Sequence, residues 1–180
     1  MMSVFEIKPV NPETYRQQTR RSTLVVVVTF LVLAMGLSTA AVGMFGEPGG
    51  DNLRLNIAGV VAGLLLTISL VRIVYWQQPW MAAAVYGWRL KRSLMRVTNV
   101  MHHVTAGVAI SDESAIKLLR FYHLGLTQMH QLDANSSSLL EVKAEIERHR
   151  ETMQAQGLEL DQQRLEPAWI EAVKKIDAAK

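Results

Sequence analysis

The sequence predicts an all-α membrane protein: a two-helix transmembrane hairpin followed by a small cytoplasmic helical bundle. Three observations carry that expectation. Residues Ser22 to Phe45 hold no charged side chain across 24 positions. At ~1.5 Å per helical residue such a run reaches ~36 Å, enough to cross a ~30 Å hydrocarbon core. A second apolar run, Leu55 to Val71, is interrupted by Arg72 and resumes through Trp76, and a snorkelling arginine lets it span as well. From Met81 onward, apolar residues return every three or four positions, the period of amphipathic helices.

These runs divide the chain into a cytoplasmic N-terminal segment (1–21), the hairpin (22–76) and a cytoplasmic helical domain (77–180). Within the hairpin the spans cover about 22–45 and 55–76, joined by a short external loop, 46–54. Charge sets the orientation. Residues 1–111 carry ten Lys/Arg against four Asp/Glu, a net +6, and residues 112–180 carry nine against twelve, a net −3. Lys8, Arg16, Arg20 and Arg21 precede the first span, and Arg72, Arg89, Lys91, Arg92 and Arg96 follow the second, whereas the loop has only Glu47, Asp51 and Arg54. The positive-inside rule then places both termini in the cytoplasm of a bacterial inner membrane crossed twice. A cleaved signal peptide is the rival reading of the first run, but its apolar core is far longer than the usual ~7–15 residues. The absence of cysteine excludes disulfides, thiolate nucleophiles and Cys-ligated metals, and agrees with a reducing compartment.

Along the chain, Pro9 and Pro12 make the first dozen residues extended or loose, after which a polar segment starts the first helix early. In the first span Gly36, Ala40 and Gly43 share a side, and Gly59 and Gly63 offer a matching groove in the second, so these small residues are the expected helix-packing positions. Gly46, Pro48, Gly49 and Gly50 punctuate the turn between them. Trp76, Trp80 and Trp88 concentrate rings past the second span, where amphipathic side chains prefer the headgroup zone, and Pro79 breaks the helix there. Together with Arg20, Arg21, Arg72, Arg89, Arg92 and Arg96, these tryptophans form the expected membrane-interface or partner-binding set.

A long amphipathic helix follows, with Leu90, Leu94, Val97, Met101, Val104 and Val108 on one face. Ser111 is the expected N-cap of the next helix, which runs to about Leu132 with Ala115, Leu119, Tyr122, Leu126 and Met129 as its apolar face. Ser138 and Glu141 fit a capping box for a third helix reaching Gln156, ended by Gly157. Pro167 opens a short closing helix. Strand-like alternation is absent.

No catalytic constellation emerges. Serines 136–138 lack nucleophile-elbow glycines, and the acidic residues between Glu141 and Glu151 read as a solvated helix face. The sole candidates for metal are His123, His130 and His149, which fit a histidine-based metal-binding sensor or enzyme if they converge, but no HxxxH or ExxH spacing supports it. The favoured reading is that each histidine fills a helix seam. Neither span carries a buried acid or histidine at its midpoint, so an oligomeric channel or transporter is a further, weaker alternative.

The strings RQQTRRSTL, FGEPGGDN, QPWMAAAVYGWRLKRSLMRVTNVMHHV and LLRFYHLGLTQMHQLDANSSSL together resemble an uncharacterised bacterial inner-membrane family, the domain of unknown function DUF3087. The likeness covers nearly the whole chain. It implies two membrane spans and a cytoplasmic helical part, and carries no catalytic residue, cofactor or ligand. The resulting expectation is a non-enzymatic partner-binding, scaffold or accessory subunit. It has no cofactor, its partners are the lipid bilayer and a second copy or larger membrane complex, and nucleic acid is excluded because the basic stripe is short and the following domain acidic.

Overall fold

A computed structural model describes residues 4–177, with the side chains of residues 136–139 and 141 outside the description. The chain is mostly helical and falls into two compact units, one of Gln17–Val85 and one that joins the residues through Arg16 to those from Tyr86 onward.

The first unit is dominated by two long apolar helices. Helix α1 (Pro12–Phe45) begins where Pro12 supplies a preset φ and the Asn11 carboxamide oxygen accepts from the amides of Glu13 and Thr14 at 2.9 and 3.0 Å. The expected loose entry therefore ends at a capped helix. Helix α2 (Leu53–Ile73) follows a turn in which Gly49 adopts φ +78°. Both are long and apolar enough to cross a membrane, and only 6% and 17% of their most apolar stretches is buried. They run antiparallel, with Gly63 against Ala34 and Gly59 against Ser38. A Cβ on Gly63 would stand 2.6 Å from the Ala34 Cα, so the crossing requires glycine. Ser38 Oγ donates to Asn56 Oδ1 at 2.7 Å, and the buried Thr67 hydroxyl donates to the Gly63 carbonyl at 2.8 Å. The small-residue face of α1 is thus Ala34 and Ser38. Gly36 and Gly43 meet nothing within 4 Å, and Ala40 is exposed. After α2 the chain passes through two 3-10 turns, Tyr75–Gln77 and Pro79–Met81, as the missing amide of Pro79 demands.

The second unit is built around one helix. The expected long amphipathic helix is two, α3 (Ala82–Thr98) and α4 (Met101–Ala109), separated where Val100 donates back to the Val97 carbonyl at 3.0 Å. The run Val97-Thr98-Asn99-Val100 is poor in helix formers, which makes it a natural place for the ladder to tighten and stop. Helix α5 (Glu113–Leu132) is capped by Asp112, whose carboxylate accepts from the Ala115 amide at 2.9 Å; Ser111, the expected cap, instead takes φ +59° to bring the chain into position. Helix α6 (Ser136–Ala155) ends at Gly157, φ +68°, with the Leu158 amide donating to the Met153 carbonyl. The expected Ser138–Glu141 capping box lies outside the described side chains. A short helix α7 (Pro167–Val173) closes the unit.

Helices α4, α6 and α7 all pack on α5. Its fully closed face is Ala115, Leu118, Phe121, Gly125 and Leu132, and Gly125 admits Leu90 and Leu94 of α3 together with Ile7. The N-terminal residues join this core through a two-residue antiparallel ladder, β1 (Phe5–Glu6) with β2 (Arg164–Leu165), Phe5 opposite Leu165. Tyr86 reinforces the attachment, receiving the Lys8 amide at 3.1 Å and donating to Gln128 Oε1 at 2.5 Å. No alternation marks so short a ladder in sequence.

Candidate functional site

Helix α5 carries more apolar surface than its core face uses. Leu119, Tyr122 and Leu126, expected as the buried stripe, are only half-buried, and they form one wall of a cavity of about 490 Å³. Met101, Thr105 and Val108 of α4 make a second wall. On α6, Val142, Glu145, Arg148, His149 and Thr152 make the third. His123 of α5 joins the lining, so two of the three histidines singled out in the sequence meet here, their ring centres 5.2 Å apart and nearly perpendicular.

The electrostatics follow from burial. His149 has one ring nitrogen, Nε2, 3.1 Å from the Ile116 carbonyl, which can only accept, so that nitrogen carries the proton and Nδ1 of the neutral ring is bare. Burial lowers the His149 pKa, and Arg120 acts in the same direction against the Ile116 carbonyl and Glu145. His123 is 3% exposed and its Nδ1 has no hydrogen-bond partner. Burial drives its pKa down to about 4, helped by His149 and Arg120. Both rings are neutral at neutral pH. Arg120 itself is buried and spends its Nε–H on the Leu160 carbonyl at 3.0 Å.

His130 is half-buried and takes no part in the cavity, so the three candidate ligands do not converge. Among the described residues no group of three His, Cys, Asp or Glu side chains could hold a metal ion. His103 instead bonds through Nδ1 to the Ile176 carbonyl at 2.9 Å, and its ring lies 4.0 Å from that of His102.

The interface set is placed piecemeal. Arg20, Arg21, Arg89 and Arg92 are exposed, and Arg96 is half-buried. The Arg72 guanidinium lies 5.6 Å from the Trp76 ring centre and that of Arg92 lies 5.1 Å from Trp88, so two cation–π pairs tie the basic and aromatic members together. Trp80 packs edge-on against Tyr75 at 5.1 Å.

A family model described as a protein of unknown function, DUF3087, matches residues 5–170. The chain belongs to the DUF3087 family. No curated protein and no solved structure matches it. The family match spans the ladder residue Phe5, both apolar helices and every wall of the cavity, so the site lies inside the family's own extent.

Proposed function

We propose that this DUF3087 member is an integral protein of the bacterial inner membrane, crossing twice with both termini cytoplasmic, whose helical unit is a non-enzymatic binding module. The observation that carries the reading is the display of apolar side chains on α1 and α2. Val32, Met35 and Leu65 are 65, 69 and 59% exposed, and Leu24, Val28, Leu31, Val61 and Ile68 are exposed with them, an apolar display that calls for a covering surface. The core helix of a soluble protein would bury such residues. The uneven distribution of Lys and Arg supports the orientation. In this reading Trp76, Trp80 and Trp88 with their arginines grip the headgroup zone, and the helical unit binds a second copy or a larger membrane complex.

Fractionation followed by mass analysis tests it. The intact chain should stay with membranes after alkaline washing and enter solution only with detergent, in a particle heavier than one chain. Freely soluble protein would end the membrane reading, and a strictly monomeric particle without a companion would end the partner reading.

A second reading, a small-molecule sensor, is favoured by one observation, the cavity between α4, α5 and α6.

A further inference from the structure

Helix α5 presents two apolar faces, and only one is closed by packing. The other opens into the cavity of about 490 Å³, a size usual for small-molecule sites, where Met101, Val108, Leu119, Leu126 and Val142 alternate with polar side chains. The lining of that cavity includes a histidine that packing alone does not account for. His149 is 7% exposed and commits Nε2 to the Ile116 carbonyl, which leaves its Nδ1 without a partner at the cavity wall, while the unpaired Nδ1 of His123 beside it is closed off.

The chemistry of the missing ligand follows from the rings. A neutral imidazole has one N–H and one bare lone pair, and the bond from His149 Nε2 to the Ile116 carbonyl leaves the His149 lone pair on Nδ1. Lone pairs call for a donor. An anion gains little here, because Glu145 and Arg148 stand three residues apart on the same wall and offset one another, and Arg120, the other nearby cation, lies outside the lining with its Nε–H on the Leu160 carbonyl. Tyr122 adds an aromatic face against which a flat ring can pack.

We infer that the cavity between α4, α5 and α6 binds a small, uncharged, ring-bearing molecule whose hydroxyl donates to His149 Nδ1, beside the edge-on ring of His123. This stands apart from the topology of the chain: the cavity lies wholly within one compact unit, and its occupancy is read independently of which side of the membrane that unit faces.

The test uses the full-length chain in mild detergent at neutral pH with three probes of one size. 1-Naphthol carries the apolar body and the donor, 1-methoxynaphthalene lacks the donor, and 1-naphthoate is an anion. Saturable one-to-one binding of 1-naphthol is expected, with each of the other two roughly tenfold weaker, the value of one hydrogen bond. Thr105→Trp, which fills the cavity from an exposed position on its wall, should abolish the saturable component and leave only partition into micelles. His149→Leu should weaken 1-naphthol roughly tenfold, to the level of the methyl ether, whereas His123→Leu, which removes a nitrogen closed off from the cavity, should change it by no more than about twofold. A His149 with a merely structural role would instead leave the probe bound when replaced. Equal affinity for the methyl ether, preference for the carboxylate, or no saturable binding to the unmodified chain would each overturn the inference.

Discussion

The unit of residues 17–85 and the unit built on α5 treat apolar side chains in opposite ways. In the first, leucines and valines point outward, the inter-helix contact is made by Gly59, Gly63, Ala34 and Ser38, and hydroxyls and Asn56 satisfy one another across it. In the second, Phe121, Leu118, Ile116 and Val104 are closed away, and Arg120 is a buried charge. Small residues at a contact and large ones outside suit lipid, where burial of leucine between helices gains nothing over hydrocarbon; the reverse suits water. The first pattern is the one the proposed bilayer setting calls for, and the second the one that water calls for.

The sharpest way to break this contrast is to truncate one large residue in each unit. Phe121→Ala should cost about 3–5 kcal/mol in thermal or denaturant unfolding of the detergent-solubilised chain, by lost transfer energy and a residual cavity. Leu65→Ala, at an outward position of α2, should cost about 0.5 kcal/mol or less. Equal losses would mean that the two units share one environment.

Acid should act on the second unit alone. The folded-state pKa of His123 is depressed to about 4 against an unfolded value of 6.5, so below 6.5 the unfolded chain takes up a proton that the folded chain refuses. The stability tied to the neutral ring is therefore complete above pH 6.5 and falls as pH drops toward 4, by about 3 kcal/mol at most, with His149 adding in the same direction. Denaturant midpoints measured across that window should drift downward, and His123→Leu should flatten the drift.

At the α1–α2 contact, Gly63→Leu should destabilise the helix pair by about 1–3 kcal/mol through overpacking, whereas Gly36→Leu should be tolerated because nothing lies within 4 Å. Protease resistance in detergent separates the two. The smallest effect is expected at Asp112→Ala, about 1 kcal/mol from the lost cap of α5, seen as earlier amide exchange in its first turn.

Much of this fold was legible from residues with a local, directional role. The uncharged lengths of α1 and α2, the stop at Gly157, the Pro79 break and the end of α5 near Leu132 each follow from one side chain or one run. Choices between near-equivalent faces were not legible. Gly36, Ala40 and Gly43 line one side of α1 and Ala34 and Ser38 another; only the partner helix, through Asn56 reaching Ser38, decides which is used. The stripe Leu119–Tyr122–Leu126 was visible as apolar, but whether it meets a neighbour or an opening depends on where α4 and α6 lie. His123 and His149 were marked by type, and His130, equally marked, went elsewhere by a rotation that its sequence spacing alone leaves open.

The membrane crossing itself is most directly tested by labelling, for which a chain without cysteine is ideal. Single cysteines at Gly49, in the loop between α1 and α2, and at Asp177, near the carboxyl end, would be exposed in intact cells to a maleimide that cannot cross the inner membrane. The account predicts label on the Gly49→Cys variant and none on Asp177→Cys until the membrane is permeabilised. Label at Asp177→Cys in intact cells, or at neither position before lysis, would contradict it.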